Sequence, residues 1–97
     1  MATHDTYRTN NGNYFFEFAF ENVGNFYNAH ILNQPSYQGR DESYHPTHRL
    51  SSQYPGATER ICFYDEENDA KNLNITRKYA EAWAEATVKY IENGTEF

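Results

Sequence analysis

Ninety-seven residues are enough for one domain with one core, and a formal net charge of −6 argues against duplex nucleic acid as a partner. Hydrophobic content is 38% but aromatic content is 18%, so large rings do much of the burying and some are left for the surface. The single cysteine, Cys62, excludes an intrachain disulfide; it sits in an apolar run and reads as a small core residue.

Residues 1–12 are polar, rich in Thr and Asn, and read as a flexible N-terminal arm ahead of a single domain over 13–97. They lack the basic stretch and apolar run of a secretory signal, and no later segment approaches the ~20 apolar residues of a membrane span. The expectation is a cytoplasmic protein, in which the glycosylation sequons at Asn74 and Asn93 go unused.

Residues 13–21 alternate. Tyr14, Phe16, Phe18 and Phe20 fall on one side, and Phe15, Glu17, Ala19 and Glu21 on the other, which is the period of a strand. The turn signal Asn-Val-Gly-Asn follows at 22–25, and 26–33 reads as the returning strand. Pairing through that turn sets Phe20 opposite Tyr27, Phe18 opposite Ala29 and Phe16 opposite Ile31. It also sets Glu17 opposite His30 on the other face.

The stretch 34–58 holds all three prolines and has little periodicity. It reads as a long loop, with a short strand near 48–52 and a turn at Tyr54-Pro-Gly. Residues 59–65 have a nearly continuous apolar centre, as an inner strand would. The acidic run Asp65-Glu66-Glu67-Asn68-Asp69 suits a helix N-terminus, so the last helix starts either there or near Thr76.

That helix is the clearest element. Tyr79, Trp83, Ala86, Tyr90 and Ile91 recur at helical spacing, Ala80, Thr87 and Val88 widen the stripe, and Gly94 stands where a left-handed cap belongs. The fold class is therefore α+β: a small antiparallel sheet of three or four strands with one C-terminal amphipathic helix packed on one face. The other face, with Phe15, Glu17 and His30, is expected to stay open as a candidate contact surface.

No catalytic fingerprint, phosphate loop or dinucleotide motif is present, and no cofactor is expected. His45-Pro-Thr-His48 spaces two imidazoles as metal ligands on a helix are spaced, with His30, Asp41 or Glu42 as a third donor. Pro46 argues against a helix there, so no metal is expected. Tyr37, Arg40, Tyr44, His45, His48, Arg49 and Tyr54 gather in one loop as candidate ligand or partner contacts, since tyrosines stack and arginines hold anions. The leading reading is a small non-catalytic protein acting through protein–protein contacts, as a homodimer or an inhibitor of a larger complex. A second reading is a module that captures a nucleotide or small anion in the Tyr/Arg/His loop. A third is a hydrolase that pairs one of the histidines with Glu17, Asp41 or Glu42.

Overall fold

The computed structural model describes residues 2–97. The alternating rings form β2 (Phe15–Asn22), which returns as β3 (Tyr27–Asn33). Phe16, Phe18 and Phe20 are buried, as are Ala29 and Ile31 across from them. Faces are as expected, but the register is not. Phe18 pairs with Ile31, Phe20 with Ala29 and Asn22 with Tyr27, two residues away from the expected pairing. The cause is the turn. Four residues, 23–26, form the loop, closed by the Val23 amide donating to the Phe26 carbonyl at 2.9 Å, with Gly24 at φ 110. A slip of two preserves which side each residue faces, so the core is unaffected. The slip moves Glu17 away from His30, and a bulge between Glu17 and Phe18 adds one more step, so that Glu17 stands opposite Asn33.

The sheet has five strands, not three or four, in the order β1-β2-β3-β5-β4, and every pairing is antiparallel. The additional strand is β1 (Ala2–Arg8), within the stretch expected to be a flexible arm. Its inward positions, Thr3, Asp5 and Tyr7, are polar or amphipathic, so no apolar alternation advertises it. Asp5 and Tyr7 find partners on the helix instead. Arg77 donates to Asp5 at 2.6 and 3.1 Å, and the Tyr7 hydroxyl donates to Glu85 at 2.6 Å.

The middle segment supplies the one-turn helix α1 (Tyr44–Thr47) and the short edge strand β4 (Arg49–Ser51). Pro46 does not prevent α1, because in a first turn its missing N–H would have no partner. Strand β5 (Glu59–Ile61) lies between β3 and β4, the inner position its apolar centre implies. The acidic run makes a separate turn, α2 (Glu66–Asp69), and the long helix α3 (Leu73–Asn93) starts afresh. Asn72 caps it by accepting from the Ile75 amide at 2.9 Å, and Gly94 ends it at φ 73.

Helix α3 packs across β2 and β3. Trp83 meets Phe16 and Phe18 edge-on, at ring separations of 5.6 and 6.1 Å. Thr76 and Thr87 lie on the buried stripe with their hydroxyls bonded to carbonyls one turn back, at 2.7 and 2.8 Å. A second, smaller cluster joins Tyr37 of the middle segment to Tyr90 and Ile91. The stretch 34–58, expected to be a long loop carrying contact residues, therefore also supplies interior: Tyr37, Thr47 and Arg49 are buried.

Neighbouring residues on opposite faces test this arrangement. Phe16→Ala should destabilise by about 3–5 kcal/mol in urea titration. Phe15→Ala, at a position 43% exposed on the other face, should stay within about 0.5 kcal/mol.

Candidate functional site

The seven loop residues expected to form one contact surface divide into three groups. Arg49 is 5% exposed and is spent inside the protein. Its Nε donates to Thr47 Oγ1 at 2.8 Å, one terminal nitrogen to Gln34 and Glu59 at 3.4 and 3.2 Å, and the other to the Glu42 carbonyl at 2.6 Å. The rings of Tyr37 and Tyr44 lie 4.7 and 5.8 Å from its guanidinium carbon. Arg40 is exposed but committed. It donates to the Ile91 and Glu92 carbonyls at 3.2 and 3.4 Å, at the negative end of α3. Tyr37, Arg40 and Arg49 thus fasten the middle segment to the fold. Burial pushes the Tyr37 phenol up to about 12.

Tyr44, His45 and His48 form the second group. They line one side of a mainly apolar groove of about 620 Å³, with Arg49 at its floor beside them, whose other walls are Leu50, Cys62, Phe63, Tyr64 and Tyr79. The groove lies where α1 faces the stretch 62–64 that follows β5 and Tyr79 of α3. Tyr64 is 97% exposed at its rim. Cys62, expected in the core, is a partly exposed wall residue. Tyr79 and Phe63 meet edge-on at 4.8 Å, and burial raises the Tyr79 phenol, with Asp69 adding to the shift. A slot of about 230 Å³ shares His48 and Tyr79 with the groove and is bounded by Ala82, Trp83, Ala86 and Phe97. Phe97 stacks on the His48 ring at 4.9 Å. His48 itself ends α1 in the left-handed conformation, at φ 52.

Tyr54 is alone in the third group, on the opposite face of the sheet. It stacks on His30 at 4.7 Å, and its hydroxyl lies 3.2 Å from His4 Nε2. His30 was expected open and beside Glu17. It is 3% exposed, and its carboxylate partner is Glu21, at 2.8 Å from Nε2. Its Nδ1 lies 2.7 Å from Ser52 Oγ, which also accepts from the Tyr54 amide at 3.0 Å. A carboxylate only accepts, so Nε2 donates to Glu21 and, in the neutral ring, Nδ1 accepts from Ser52. This chain of bonds has the composition of a nucleophile relay. However, the cleft beside it, of about 490 Å³, is lined by Ser51 and Gln53, while Ser52 between them turns inward to His30. The arrangement holds the 52–58 loop against the sheet. Of the residues expected on this face, Phe15 is exposed and Glu17 only partly so.

Among the described residues no group of three His, Cys, Asp or Glu side chains is disposed to hold a metal ion, and no ion pair involves His45 or His48. No protein-family model, curated protein or solved structure matches the chain. Sequence reasoning missed Leu50, Cys62, Tyr64 and Tyr79 as groove walls, and Glu21, Ser52 and Arg60 on the far face. For Tyr64 a signal was present: a large ring immediately before an acidic turn has little to bury against.

Two measurements separate a structural from a ligand-holding role for the loop. Arg49→Ala removes the donor to Thr47, the Glu42 carbonyl and a Glu59 side chain that is 18% exposed and still bonded by Gln34, and should lower stability by about 1–3 kcal/mol, whereas Arg40→Ala removes only a helix-end contact worth about 0.3–1 kcal/mol. For Tyr37, the raised phenol means the unfolded chain ionises first. Its contribution is complete below the ordinary value of 10.0 and fades as pH climbs toward about 12. Alkaline unfolding of Tyr37→Phe should therefore show a shallower pH slope above 10.0 than the parent protein.

Proposed function

We propose that this chain is a non-catalytic cytoplasmic protein that works by binding another protein, and that the groove between α1, the segment after β5 and α3 is its docking surface. The observation that carries this reading is the groove's apolar wall of Tyr44, Leu50, Cys62, Phe63 and Tyr79, with Tyr64 almost fully exposed at the rim. Aromatic side chains around a concave apolar surface are what protein interfaces are built from. The Tyr64 end continues into Asp65, Glu66 and Glu67. The partner segment that fits is apolar, with basic residues beyond the apolar part. Attraction of that kind acts mainly on the rate of encounter and weakens with salt.

Capture of a nucleotide by the Tyr/Arg/His loop has less support, because Arg40 and Arg49 already donate to protein acceptors. A histidine hydrolase also has less, since His45 and His48 have no carboxylate partner among the described residues and the Ser52 hydroxyl faces inward.

A photo-crosslinking residue in place of Tyr64, read by mass spectrometry in the native cell, tests the docking surface. The expected outcome is one dominant adduct through a partner's apolar segment, lost when Tyr44→Ser is added and weakened at high salt. Tyr64 is exposed, so its replacement should leave the melting temperature unchanged, and Tyr44→Ser, which gives up the ring beside Arg49, should cost no more than about 1 kcal/mol and leave the protein folded. If the adduct is a second copy of the chain, the homodimer is the functional form. Diffuse labelling that ignores Tyr44→Ser removes the groove as the docking surface.

A further inference from the structure

The chain's arginines differ in what they have left to offer. Arg8 donates to the Gly12 carbonyl, Arg40 to the end of α3, Arg49 to its buried network and Arg77 to Asp5. Arg60 is the exception. Its Nε donates to the Ser51 carbonyl at 3.1 Å, but neither terminal nitrogen has a hydrogen-bond acceptor among the described residues. That single bond ties Nε to β4 and leaves the two-pronged end unused, the end that matches a carboxylate or phosphate.

Arg60 stands opposite His30 across the β3–β5 pairing, on the face away from α3. It lines the cleft of about 490 Å³ together with Glu21, Asn28, Gln53 and Tyr54. The floor is rigid, because His30 is held at both nitrogens and covered by the Tyr54 ring. Glu21 uses one carboxylate oxygen for His30, and its other has no partner among the described residues. The amides of Asn28 and Gln53 can donate or accept. A fixed cation, a half-used carboxylate, two amides and an aromatic ring around one cleft form a donor-and-acceptor set, not an apolar docking surface.

We propose that this cleft binds a small organic anion: a carboxylate or phosphate head on Arg60, and hydroxyl or ammonium donors on the body that meet Glu21 and the two amides. Glu21 tells against a bare anion, which it repels, and favours a molecule carrying donors as well. The site is separate from the protein-docking groove and does not depend on it. It also moves anion recognition from Arg40 and Arg49 to a residue outside the loop where composition alone placed it.

Amide chemical shifts of the labelled protein, titrated with ribose 5-phosphate, L-serine and inorganic phosphate, test this. Saturable shifts confined to Asn28, Gln53, Tyr54 and Arg60 are expected with one of the organic probes, and the probe that gives them distinguishes a phosphate head from a carboxylate head. Inorganic phosphate should bind more weakly than that probe. Arg60→Gln should weaken binding about tenfold or more. Since Arg60 also bonds β4, Gln53→Glu serves as a second variant: the position is exposed, and the added carboxylate should repel the head without disturbing the fold. No saturable shift with any probe overturns the proposal. So do shifts that survive both variants, and shifts that gather at Arg40 and Arg49.

Discussion

Trp83 joins the three parts of this protein. Its ring meets Phe16 and Phe18 of the sheet edge-on, and its indole N–H donates to the Thr47 carbonyl of the middle segment at 3.1 Å. Sheet, helix and middle segment therefore share one side chain. A buried indole without an acceptor would be penalised by its unpaired donor. The last residue of α1 supplies that acceptor, so the geometry of α1 follows from the placement of the tryptophan. The position of the groove follows in turn: α1 is held at the Trp83 side of the helix, and the groove opens between it, the stretch after β5 and Tyr79.

The elements with strong periodicity were legible in the chain. Phe16, Phe18 and Phe20 announced a half-buried strand, and the Trp83 stripe announced a helix that covers it. Strand β1 was not legible, because its inward residues Asp5 and Tyr7 are stabilised by Arg77 and Glu85, and polar pairing across some seventy residues of chain leaves no local pattern. Register failed for a related reason. A four-residue loop and a two-residue loop differ by one pair of residues, and both keep every ring on its face, so hydrophobic pattern alone could not choose between them.

The loop illustrates a limit of composition. Tyr, Arg and His in close succession have the makeup of a binding surface, but the same side chains hold irregular backbone in place. Arg49 satisfies the acceptors of a segment that lacks a ladder of its own, and Arg40 does the same for the end of α3. Only partners identify which role an arginine plays, and those partners, Gln34, Glu42, Glu59 and Ile91, lie up to half the chain away. The exposed Tyr64 ring and the terminal nitrogens of Arg60 stand outside the compositional cluster.

One feature of the core has a practical side. Trp83 is the only tryptophan in the chain, and with Phe97 and His48 it also lines the smaller slot beside the groove. Indole emission responds to the polarity and motion of what surrounds it. The protein thus carries an intrinsic optical reporter, in one place, for two events: loosening of the sheet–helix contact, and entry of a visitor into the slot.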